Sequence, residues 1–180
     1  ASSLSAASYV PSMDAIAFFA SSQLFFYPLS EDPGITNDWL TIAGLENITD
    51  AVNYGTDEVL LFDGYSYIKM KHSSGAILTE WMQWPNLPNQ WRNRLTSVVG
   101  FSNDTFLFFN KSEYVLYDLN QNGFTESGSV TTWPGWPANW RNGADAIVNI
   151  GDGNLYFFND GEVAPYSIQD NTFYLPKALS

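Results

Sequence analysis

The sequence predicts an all-β chain folded as a four-bladed β-propeller, and three observations carry that expectation. A two-strand unit recurs four times, a rigid Trp-Pro segment recurs once at a fixed shift, and no stretch sustains helical periodicity. Aromatic residues make up 17% of the 180, a load suited to pleated, half-buried strands.

In the first unit Asp14-Ala15-Ile16-Ala17 leads to Leu24-Phe25-Phe26, and in the second Asp50-Ala51-Val52-Asn53 leads to Leu60-Leu61-Phe62. Ser97-Val98-Val99-Gly100 then leads to Leu107-Phe108-Phe109, and Asp145-Ala146-Ile147-Val148 to Leu155-Tyr156-Phe157. Twelve residues separate the first residue from the last aromatic in each, although Phe158 leaves the fourth register open by one. A short apolar strand opens each unit, a turn such as Tyr54-Gly55-Thr56-Asp57 follows, and an aromatic strand returns. Period-two alternation in Glu113-Tyr114-Val115-Leu116-Tyr117 marks a third strand. The units start 36, 47 and 48 residues apart, room for one four-stranded sheet each. A sheet this small cannot bury both faces alone, so its neighbours must supply the core. Blades are expected at about 12–47, 48–93, 94–142 and 143–180, with 1–11 a candidate ring-closing segment.

The second repeated element is sharper. Trp84-Pro85-Asn86-Leu87-Pro88-Asn89-Gln90-Trp91-Arg92-Asn93 recurs 49 residues on as Trp133-Pro134-Gly135-Trp136-Pro137-Ala138-Asn139-Trp140-Arg141-Asn142. Two prolines three apart exclude a helix interior and a central strand. This is a rigid connector whose tryptophans can fill the gap between sheets.

Together, from about residue 12 to 175, these strands and the connector resemble the hemopexin-like repeat family. Within it the chain is similar to stand-alone plant seed albumins, some of which agglutinate cells. The resemblance implies that main-chain carbonyls opening each inner strand converge on a central tunnel and hold Ca²⁺ or Na⁺. Carried over by position, those residues are Asp14, Asp50, Ser97 and Asp145, with a second ring at Ile16, Val52, Val99 and Ile147. Ser97 departs from the usual Asp, but ligation by a carbonyl does not depend on the side chain. The family's ring-closing disulfide cannot form in a chain without cysteine, so closure is expected from packing and strand pairing near the termini. The first blade lacks a Trp-Pro connector and has only Trp39 near its place.

Charge and residue inventory narrow the function. The net charge is −12 with seven Lys and Arg, which form no basic stripe, so nucleic acid and anionic membranes are unsuited partners. No apolar run approaches the roughly 20 residues of a membrane helix. Catalysis is not expected, because the one histidine, His72, lies in a polar stretch that reads as a solvated loop without a nucleophile partner. Asp118-Leu119-Asn120-Gln121-Asn122-Gly123 matches half of a calcium loop but reads more simply as an Asn-Gly turn. Three sequons, at Asn47, Asn103 and Asn110, are candidate glycosylation sites and favour a secreted protein. Trp39, Trp81 and Trp136 are candidate stacking platforms for sugar rings, and repeated weak sites would gain by avidity. The expectation is a carbohydrate-binding protein. The alternatives are a carrier for haem or a polyamine, or a protein-interaction module, with a blade edge or face as a candidate homodimer surface.

Overall fold

The protein is described from a computed structural model covering residues 6–20, 23–28, 40–42, 45, 47–64, 66–92, 95–102 and 104–179. It divides into two compact units, Ala1–Trp84 and Pro85–Ser180, each holding two antiparallel sheets.

In the first unit, β1 (Ala6–Val10), β2 (Ala15–Ala20), β3 (Gln23–Pro28) and β4 (Leu40–Thr41) form one sheet in chain order. The second sheet is β5 (Asp50–Tyr54), β6 (Glu58–Asp63), β7 (Ser66–Lys71) and β8 (Met82–Gln83). In the second unit, β9 (Ser97–Ser102), β10 (Thr105–Asn110), β11 (Glu113–Asp118) and β12 (Gly123–Ser129) form the third sheet. The fourth is β13 (Ala146–Asn149), β14 (Asn154–Asn159), β15 (Glu162–Ser167) and β16 (Thr172–Phe173). Its outer strand comes in two pieces, since β17 (Lys177–Ala178) pairs with the other end of β15. Up-and-down order in four strands is the blade architecture that the repeats predict.

The second strands show why these residues make blades. β6 buries Val59 through Phe62 and β10 buries Phe106 through Phe109, so these central strands read as apolar runs, whereas β14 alternates, burying Leu155 and Phe157. One core cluster joins Val99, Phe109, Trp140, Ile147, Phe157 and Phe173 across the two sheets of the second unit. Another joins Val10, Phe19, Leu24, Ala51, Leu61 and Met70 in the first.

The register corrects the repeat in two places. Ala6 pairs with Phe19, Asp50 with Phe62, Ser97 with Phe109 and Ala146 with Phe158. These pairs are equivalent, so the units begin 44, 47 and 49 residues apart. The first blade therefore opens on β1, and Asp14-Ala15-Ile16-Ala17 leads into its second strand. Residues 6–10 pair along their length with β2 and form the first strand of the first sheet. Leu24-Phe25-Phe26 lies on the third strand, which is as aromatic as the other units' second strands. The fourth unit opens at Ala146, one residue later than Asp145. Thr49, Thr96 and Asp145 are instead equivalent staples. Each donates its N–H to the carbonyl of Phe62, Phe109 or Phe158, at 2.8 Å in every case. Each side chain then accepts from the amide of Gly64, Lys111 or Asp160, all left-handed hairpin residues.

Candidate functional site

The third sheet carries a cleft of about 560 Å³ beside its outer strands β11 and β12. Pro88 and Trp91 of the first Trp-Pro connector close one side. Glu113, Tyr114, Phe124, Glu126, Ser127 and Ser129 line the rest. Phe124 is fixed edge-on to Phe108 and Tyr117, at centroid distances of 5.6 and 5.0 Å. Tyr114 sits across the strands from Gly128, where a Cβ would approach the ring to 3.0 Å. The glycine is thus what admits the aromatic ring. The Tyr114 hydroxyl donates to Glu126 Oε1 at 2.6 Å, and burial, then this bond, raises its pKa above the usual tyrosine value. Among the described residues no lysine or arginine lines the cleft, and Glu113 and Glu126 give it acidic acceptors beside aromatic surface. Such a lining suits polyhydroxyl or amine ligands.

The tryptophans expected as platforms behave differently. Trp81 is 41% exposed on the segment before β8, near exposed Ile77, Leu78 and Met82. Trp136 is half-buried and packs edge-on against Trp140, Phe157 and Phe173, at 5.8, 6.0 and 5.2 Å. Its ring packs against the core cluster of the second unit. Trp39 lies outside the described residues. The cleft is not legible in the sequence, because its acceptors come from β11 and β12, which meet only through pairing.

The residues expected as cation donors take different places along the strands. Asp14 has φ 43 and caps a 3-10 turn between β1 and β2, and Ile16 lies on β2. By register the first-blade equivalents are Ala6 and Ser8, and the fourth-blade equivalents are Ala146 and Val148 rather than Asp145 and Ile147. The Trp-Pro segment held the signal, since its shift of 49 carries Ser97 onto Ala146. Asp50, Ser97, Val52 and Val99 keep their positions on β5 and β9. The Asp50 carboxylate accepts from the Ala51 amide, and buried Ser97 Oγ donates to the Ile147 carbonyl at 3.0 Å. With those side chains occupied, the donors that fit a hard cation are neutral main-chain oxygens. Among the described residues no group of three or more His, Cys, Asp or Glu could hold a metal. The Asp118 carboxylate accepts from the Asn120 and Gln121 amides and the Gln121 side chain, closing a turn.

His72 is not solvated. It is 1% exposed, and burial depresses its pKa from 6.5 to about 4, against the opposing pull of Asp57. Asn47 is exposed on a turn, Asn110 is half-buried at the end of β10, and Asn103 lies outside the described residues. No described helix is long and apolar enough to cross a membrane.

Solved structures share this fold. The hemopexin fold protein CP4 from cow pea superposes with a TM-score of 0.74 at 16% identity, covering 99% of this chain and 94% of that one. A plant albumin from Cicer arietinum showing hemagglutination gives 0.73 at 12% identity, over 98% and 93%. A plant lectin with two metal binding sites, also from Cicer arietinum, gives 0.69 at 14% identity, over 92% and 86%. No protein-family model and no curated protein matches the sequence. The fold is the four-bladed propeller of the hemopexin type.

Proposed function

We propose that this chain is a non-enzymatic, carbohydrate-binding protein that holds a sugar in the cleft beside β11 and β12. The observation that carries the reading is the lining itself, with aromatic surface from Tyr114 and Phe124 beside the Glu113 and Glu126 acceptors. Sugar rings present C–H faces to aromatics and hydroxyls to carboxylates. Hemagglutination by one solved structural neighbour, and the description of another as a lectin, support this direction. A resident Ca²⁺ or Na⁺ belongs to the same reading. Its candidate donors are main-chain carbonyls at the openings of the first strands. Secretion and glycosylation at exposed Asn47 fit the same reading.

The test is a glycan array with haemagglutination, run on the native chain and on Glu113→Gln/Glu126→Gln. Binding that falls at least about tenfold in the variant supports the cleft, the loss expected for a charge-assisted hydrogen bond or two. Silence of the native chain on every glycan, with no agglutination, overturns the reading.

A second reading, an amine carrier, is favoured by the Glu113 and Glu126 carboxylates in the cleft lining. Spermine calorimetry separates the two, since an amine ligand would weaken steeply with salt and a neutral sugar would not. Haem is disfavoured, because the chain's one imidazole is buried.

A further inference from the structure

Buried polar groups almost always find a partner, yet among the described residues neither ring nitrogen of His72 has one. The residue follows β7, and its amide donates to the Asp57 carbonyl at 3.0 Å. Its ring lies edge-on to Phe26 of β3, with centroids 6.4 Å apart, so the imidazole sits between the first and second sheets. A neutral imidazole is tolerated there, whereas an unpaired imidazolium would be expelled.

The chain around it is a closed loop laid back on β7. The amides of Lys71, Gly75 and Leu78 donate to the carbonyls of Ala76, Lys71 and Lys69. The Ser73 amide and hydroxyl donate to the Asp57 carboxylate at 3.0 and 2.7 Å. Among the described residues the charge acting on His72 is Asp57 on the β5–β6 turn, while Lys71 acts on Asp57 and the Lys69–Glu58 pair joins β7 to β6. Over Gln23–Pro28, β3 contributes no ionisable group but Tyr27, which is exposed.

We propose that His72 is an acid-operated latch, whose protonation withdraws the ring from between the two sheets and frees residues 72–81 from β7. Opening hydrates the imidazole and returns it to its ordinary pKa, so acid favours the open form throughout the window from 6.5 down to about 4. The opening constant then rises about twentyfold between pH 7 and pH 5. Asp57 acts later, because its bonds to Ser73 hold its carboxyl below the usual range. The freed segment carries Ile77, Leu78 and Trp81, so the acid form presents a larger apolar surface than the neutral form.

Hydrogen exchange on the full chain tests this at the amides of Lys71, Gly75 and Leu78, corrected for intrinsic rates and referenced to the β10–β11 ladder. The latch gives a rise of about twentyfold in the native chain from pH 7 to 5, and none in His72→Phe. A flat native response, or an equal rise in the variant, overturns it. Should the variant fail to fold, titration of the single imidazole by NMR decides. A midpoint below 5 supports the latch, and one at or above 6 sinks it.

Discussion

Gly143 shows how much a single position can demand. It has φ +89, and a Cβ there would lie 2.3 Å from the Lys111 carbonyl carbon and 2.4 Å from the Ser112 nitrogen. Both the backbone region and the space exclude a side chain. Gly143→Ala should therefore cost about 2 kcal/mol or more, read as a lowered urea midpoint. Gly153, at φ +86 with open space around it, should lose only the backbone preference, about 1 kcal/mol. Tyr156 offers a pH-dependent case. Its hydroxyl donates to Asp152 at 2.6 Å, and that bond, more than burial, pushes its pKa up to about 12. A raised phenol pKa stabilises the fold below pH 10 and loses that contribution as pH climbs toward 12. Asp152→Asn should bring the Tyr156 titration down toward 10, visible as tyrosinate absorbance.

At the scale of elements, the Trp-Pro connectors are structural straps. Trp140 is buried against Trp136, and its indole N–H donates to Glu162 Oε2 at 2.8 Å. Asn139 reaches the same carboxylate oxygen at 3.2 Å. The strap thus ties the connector to β15, through a carboxylate that nothing in the sequence marks. Trp140→Ala should cost about 3–5 kcal/mol, as deletion of a buried aromatic does. Glu162→Gln should cost about 1 kcal/mol, because the amide oxygen can still accept. Urea denaturation of the two variants measures the difference.

For the whole molecule, the termini separate closure from decoration. Val10 and Ser8 of β1 are buried, while Lys177, Ala178 and Leu179 are exposed. A chain lacking residues 1–12 should melt far lower than the native chain, and one lacking 176–180 should melt close to it. Calorimetry of both would show it. An equal loss in the two would remove β1 from the core.

The sequence alone determined the number of sheets, their strand count and the inward role of most aromatics. Apolar strand runs, turn residues and the Trp-Pro shift are local signals, legible along one dimension. Tertiary structure decided the register. Asp14 and Asp145 look like strand openings, but β-pairing sets Ala6 and Ala146 opposite Phe19 and Phe158. Side-chain period in a strand is two, so a one-residue slip moves every side chain to the other face, and only the partner strand can show it. The cleft on the third sheet and the burial of His72 were decided the same way. Each rests on residues from separate strands or sheets, and their environment does not exist until those elements meet.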